Sequence, residues 1–233
     1  MKILLFLLAI SLVFFPSCKG KARAKEETKE EAPKSMETEL AEKKLESGSP
    51  VFIRAFKEER VLELFIENKT TGQFELFRTY PIAAASGQLG PKLAEGDRQV
   101  PEGFYFSRPS DMNPNSSFHL SFNVNYPNAY DRAHERTGTF IMVHGSNVSV
   151  GCLAMTDEKI EEIYTLCQAA LDRGQPFFRV HIFPFRMTPE RMATAIGSPH
   201  LPFWENLKTG YDLFEKNKTP PIVSVRDKKY VFE

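Results

Sequence analysis

The sequence predicts a mixed α+β domain, mainly β, and three observations carry that expectation. Two apolar runs just after residue 50 have strand length, glycine and proline punctuate further short apolar runs in the middle of the chain, and later segments repeat apolar residues at helical spacing. With 233 residues, 42% of them hydrophobic and twenty phenylalanines, the chain can bury one sizeable core, so one globular domain with extensions is expected. Thirty basic and thirty acidic side chains cancel, and no Lys/Arg stripe interleaves with aromatics, so no nucleic-acid partner is expected.

Met1-Lys2 and the apolar run Ile3 to Phe15 have the charged start and short hydrophobic stretch of a secretory signal, too short for an ordinary membrane span. Residues 1–17 are therefore expected to be a signal peptide and the protein to be exported, to the periplasm or cell envelope. Cys18 follows Phe15-Pro16-Ser17 as in a loose lipobox, where it would be lipidated and would anchor the mature chain to a membrane. Ordinary signal-peptidase cleavage, leaving a soluble exported protein, is the alternative. Residues 18–49 are rich in Lys, Glu, Ala and Ser with almost no large apolar side chain, and they read as a charged flexible linker with transient helix around Met36 to Leu45.

From Pro50, Val51 to Lys57 and Val61 to Glu67 read as strands, and the turn-like Asn68 to Gly72 leads to a third from Phe74 to Ile82. Phe104 to Phe106, Phe118 to Val124 and Thr139 to Val143 are further strand candidates, the last delivering His144 to a strand end. A helix is expected from Asp157 to Arg173, with Thr156 as N-cap, acidic Asp157 and Glu158 in the first turn, and Ile160, Ile163, Tyr164, Cys167 and Leu171 on one face. Phe177 to Phe183 reads as a strand, Thr188-Pro189-Glu190 starts a helix, and Pro202 to Glu215 is another, carrying Trp204, Leu207, Tyr211 and Phe214. Ile222 to Val225 and Lys229 to Phe232 fit a small hairpin. Residues 50–190 are expected to form the main domain, and 191–233, which carry no chemical motif, a partly helical C-terminal extension packed on it.

The chemistry concentrates in Met142 to Met155, which holds His144, Gly145, Ser149, Gly151 and Cys152. A thiolate is the attacking form and a free cysteine titrates at about 8.5, so Cys152 needs a base, and His144 is the candidate. Gly151 permits a backbone conformation closed to other residues, so that its amide and that of Cys152 are candidate donors to an oxyanion. Ser149 is expected to support the loop by local hydrogen bonding. Cysteines 18, 152 and 167 form no CxxC pair and no even framework, and Cys167 is read as core. His119, His134 and His181 are too irregularly spaced to suggest a metal site with Cys152, and no metal or cofactor is expected. Arg108, Arg132 and Arg136 precede His144 and are candidates to grip a substrate carboxylate.

The ordered residues His144-Gly145 and Ser149-Val150-Gly151-Cys152-Leu153-Ala154-Met155 resemble the YkuD-type L,D-transpeptidase family, in particular its YafK-like branch. The likeness extends through Ser86-Gly87, Gly96 to Tyr105, Tyr126 to Arg132 and Ile182 to Thr188. Two features depart from the larger YkuD branch: His144 and Cys152 stand only eight positions apart, and Ala154 replaces a polar or basic residue. The resemblance implies that the main domain, residues 50–190, is a β-sandwich or barrel-like catalytic domain with a helix after the catalytic cysteine. It implies that the Gly145 carbonyl orients His144, and that Cys152 forms a thioester acyl-enzyme with peptidoglycan stem peptides in cell wall remodelling. With an amine acceptor the protein would be a transpeptidase. With water it would be an L,D-carboxypeptidase or amidase, able to release a wall-attached protein. A non-catalytic wall-binding lipoprotein is the alternative of another class.

Overall fold

A computed structural model describes residues 35–233, and the first of these already form a docked helix, α1 (Met36–Glu42). The Thr38 amide donates to Ser35 Oγ at its start, Leu40 and Leu45 insert into the main core, and Glu39 and Glu46 pair with Arg78 and Lys69. The flexible linker expected over 18–49 is corrected from Ser35 onward. Two buried leucines in an otherwise polar stretch are enough to dock it, and an average over composition does not register them. The expected signal peptide, Cys18 and the rest of that linker lie outside the described residues.

The chain continues as β1 (Val51–Phe56), β2 (Val61–Glu67), β3 (Phe74–Pro81), β4 (Gly103–Ser107), β5 (Met112–Ser116), β6 (His119–Asn123), α2 (Ala129–Ala133), β7 (Met142–His144) and β8 (Leu153–Ala154). It ends with α3 (Asp157–Asp172), β9 (Phe178–Phe183), α4 (Pro189–Ala193), α5 (Leu201–Asn217), β10 (Val223–Arg226) and β11 (Lys229–Phe232). One sheet has the order β3-β2-β1-β9-β4, with β1 and β9 parallel, and a second has the order β5-β6-β7-β8, with β7 and β8 parallel. β10 and β11 form a separate hairpin. The fold is mixed α+β and mainly sheet, as expected, but of the sandwich and barrel alternatives no closed barrel forms among the described residues. β3 and β4 end the first sheet without meeting.

Every residue of β1 is buried because the first sheet is covered on both faces. On one face Ile53, Leu64, Val180 and Ile182 meet Phe122 and Val143 of the second sheet and Ile160, Ile163 and Leu166 of α3 in one core cluster. On the other, Phe52, Phe65 and Phe183 lie under α5, where Phe214 packs against Phe52 at 4.7 Å and Tyr211 against Phe183 at 5.4 Å. Residues 191–233 therefore supply one of the two covers of the central sheet. The expected strand over Thr139 to Val143 starts only at Met142, and within the expected span Phe140 takes a left-handed φ of 52° that breaks the extended backbone. No described helix is long and apolar enough to cross a membrane.

Candidate active site

The parallel pairing of β7 with β8 matches Val143 to Leu153 and His144 to Ala154. Side chains alternate across a strand, so Met142 and His144 share a face of β7 and Cys152, one residue before Leu153, is presented on that same face. The Cys152 sulfur lies 3.4 Å from the Met142 amide, which donates to it, and 3.6 Å from the Phe140 carbonyl. His144 is buried, its ring against Phe118 at 4.7 Å, and Nδ1 donates to the Gly145 carbonyl at 2.6 Å. A carbonyl only accepts, so Nδ1 carries the proton and Nε2 is the basic nitrogen. Thiol and imidazole share a side of the sheet without a hydrogen bond between them, a common state of a catalytic pair before substrate enters.

Gly145 is pinched: a Cβ there would stand 2.6 Å from Asp157 Oδ1 and 2.7 Å from the Phe118 carbonyl. Asp157 Oδ1 also accepts the Ser146 amide at 2.7 Å, which ties the start of α3 to the loop. Thr156 occupies the N-cap position with a φ of 72°, but its hydroxyl makes no capping bond, a correction to the expected cap. Gly151 has a φ of 83°, as its expected backbone role requires.

The amides assigned to an oxyanion are otherwise engaged. Gly151 N donates to Ser86 Oγ at 2.7 Å and Cys152 N to Ser149 Oγ at 3.1 Å, so neither receives negative charge until its serine gives way. The amide aimed at the sulfur is that of Met142. Ser149 supports the loop through this bond, and Ser86, which in turn donates to the Arg98 carbonyl at 2.7 Å, is a site residue to which the sequence reading gave no role. The Arg98 segment to which Ser86 donates is held by Asp97, which accepts the amides of Leu93, Ala94 and Gln99 and the ammonium of buried Lys92. A short acidic residue amid closely spaced amide donors, as in Gly96-Asp97-Arg98-Gln99, was the available signal.

Burial dominates the electrostatics of the pair. It raises the Cys152 thiol above its ordinary 9.0 against the Met142 amide and the Lys92 charge, and lowers His144 below its ordinary 6.5 against the Gly145 carbonyl. At neutral pH the two groups therefore rest as a thiol and a neutral imidazole. Cys167 is fully buried in the core. His119 bonds Glu161, His134 bonds the Lys228 carbonyl, and His181 is enclosed between Phe52 and Phe104. Among the described residues no three His, Cys, Asp or Glu side chains are grouped to hold a metal. Of the three candidate arginines, Arg136 is spent on buried Asp131 at 2.9 Å and drops out as a substrate grip. Arg108 and Arg132 line a common cavity with Phe140.

The chain is 47% identical to YafK of Escherichia coli strain K12, a protein provisionally named an L,D-transpeptidase, over 79% of this chain and 74% of that one. Among solved structures, a mutant of the helical cell shape determining protein Pgp2 from Campylobacter jejuni is similar at 20% identity and a TM-score of 0.47, over 78% of this chain and 64% of that chain. Bd1075 of Bdellovibrio bacteriovorus is similar at 16% identity and a TM-score of 0.42, over 79% and 85%. Residues 50–210 match the YkuD family, described as the L,D-transpeptidase catalytic domain, and with the identity to YafK this match establishes that the chain belongs to the YkuD family.

Proposed function

We propose that the protein is a cysteine-dependent acyl transferase acting on peptidoglycan stem peptides. The observation that carries this reading is the β7–β8 pairing, which sets Cys152 on the side of His144 while Gly145 fixes the imidazole with Nε2 as its base. On binding, His144 Nε2 takes the thiol proton as sulfur attacks the carbonyl carbon of the scissile amide, and the oxyanion is received by the Gly151 and Cys152 amides as Ser86 and Ser149 give way. The C–N bond then breaks, His144 returns its proton to the departing amine, and a thioester on Cys152 remains. An amine on another stem attacks that thioester, losing its proton to His144, and the thiol is regenerated. Water in the same place gives a trimmed peptide or releases a wall-linked protein.

The test incubates the full-length chain with defined tetrapeptide muropeptides, with and without an amine acceptor. Cross-linked product is expected for the wild type and none for Cys152→Ala; trimmed product alone would assign the hydrolytic reading. No product under either condition would overturn both in favour of a wall-binding lipoprotein.

We also propose export and lipid anchoring through Cys18, motivated by its place at the end of the apolar run from Ile3 to Phe15. A fatty acid analogue is expected to label the wild type and not Cys18→Ala in cells, and equal labelling would rule the anchor out.

A further inference from the structure

The cavity shared by Arg108 and Arg132 has a volume of about 440 Å³ and is also lined by Asn123, Asn125, Thr139 and Phe140. Phe140 joins it to the nucleophile, since its carbonyl accepts from the Cys152 thiol at 3.6 Å. That residue holds a left-handed φ of 52° with 74% of its surface exposed, a conformation an aromatic side chain adopts only when its surroundings impose it. The nucleophile loop therefore runs directly into the cavity wall.

No Asp or Glu lines this space. The nearest acid to Arg108 is Asp111, which accepts the Arg108 amide at 2.8 Å and Asn125 Nδ2 at 2.6 Å. It reaches the guanidinium only through Nε, at 3.4 Å. Arg108 Nη2 has one long contact, 3.5 Å to Asn125 Oδ1, so the outer edge of the fork is open to a stronger acceptor. Arg132 donates to the Pro127 carbonyl and pairs with no carboxylate among the described residues. Other cations nearby are committed: Lys92 is paired with Asp97 and Arg136 with Asp131. The residues after the nucleophile, Leu153, Ala154 and Met155, are buried and apolar and themselves supply no cation.

We propose that this cavity is the subsite for a free carboxylate of the acyl-donor peptide, and that Arg108 and Arg132 make the enzyme select a carboxylate over the corresponding carboxamide. The inference rests on the acyl-transfer reading and adds to it the chemical class of the recognised group. Two guanidinium forks with unfilled donors match a planar anion bidentately, whereas a carboxamide offers one acceptor and no charge.

The experiment uses full-length wild type, Arg108→Gln, Arg132→Gln and the double variant, with stem tetrapeptides in which each free carboxylate is in turn replaced by carboxamide. For one of these positions the wild type is expected to favour the acid by about tenfold or more in kcat/KM. Each single variant should lose about tenfold on the acid, chiefly through KM, with the amide unchanged, and the double variant should bring the ratio near one. Turnover with no acid preference at any position, or equal losses on acid and amide, overturns the subsite. Equilibrium binding of the same peptides to Cys152→Ala separates the two ideas. Acid-selective binding that needs the arginines, with no turnover by wild type, would sink acyl transfer and leave the subsite standing; loss of both removes both.

Discussion

His144→Ala is expected to lower kcat/KM on a cleaved stem peptide by about 10³-fold, within the range a positioned general base contributes. The size follows from burial: a thiol titrating above its ordinary 9.0 is almost wholly protonated at pH 7, so without Nε2 to take the proton few molecules carry the attacking thiolate. The wild-type profile should show one ascending limb with its midpoint below 6.5, because burial favours the neutral imidazole and the base form persists to lower pH than in free histidine. Burial pushes the thiol's own ionisation above the ordinary cysteine range, so no second limb is expected near neutral pH. The variant should lose the acid limb and gain rate only as direct thiolate formation sets in at alkaline pH. Its fold should survive, since the imidazole makes one hydrogen bond, to Gly145, worth about 1 kcal/mol. A rate within tenfold of wild type in folded His144→Ala, or a wild-type midpoint above 6.5, would remove the assigned role.

Glu63→Ala is expected to cost about 3–5 kcal/mol of stability, a large part of what a domain has. Glu63 is buried on β2 and accepts Arg54 Nε at 3.1 Å and Nη2 at 2.8 Å, with Arg186 Nη2 at 2.6 Å on its other oxygen. Arg54 lies beneath α5 with its guanidinium 4.8 Å from the Phe214 ring and 4.9 Å from that of Phe65. Removing the carboxylate leaves that cation with Glu215 as its one acidic partner, at 2.6 Å and closer to solvent, which sets the lower end of the range. Urea unfolding should show an earlier midpoint with an unchanged slope, and Tm should fall by roughly 6–12 °C even at the lower end. A loss under 1 kcal/mol would mean that the rings and Glu215 hold Arg54 without it.

The elements legible in the sequence are those in which a local pattern and the tertiary environment agree. β1 reads as a strand because it is apolar on both faces and buried on both, and α3 because Ile160, Ile163 and Cys167 repeat at the spacing of the face it buries. What local reading could not supply are partners distant in the chain. Nothing around Gly151 says that its amide will be taken by a hydroxyl 65 positions upstream, and nothing around Leu40 and Leu45 says that the main core has room for them. Arg136 looked equivalent to Arg108 and Arg132 until α2 brought Asp131 against it in a buried pair. Phe140 was assigned to a strand because aromatic residues favour strands, while its backbone takes a left-handed φ of 52° that local propensity does not foretell.

The short parallel ladder of β7 and β8 fixes where His144 and Cys152 stand, and the crest between them is tied down at Gly145, Ser146, Ser149 and Gly151. Val148 and Val150 on that crest are 60% and 69% exposed, so substitutions of these two side chains should leave His144 and Cys152 in place, whereas a change of loop length would displace the Ser149 and Gly151 hydrogen bonds.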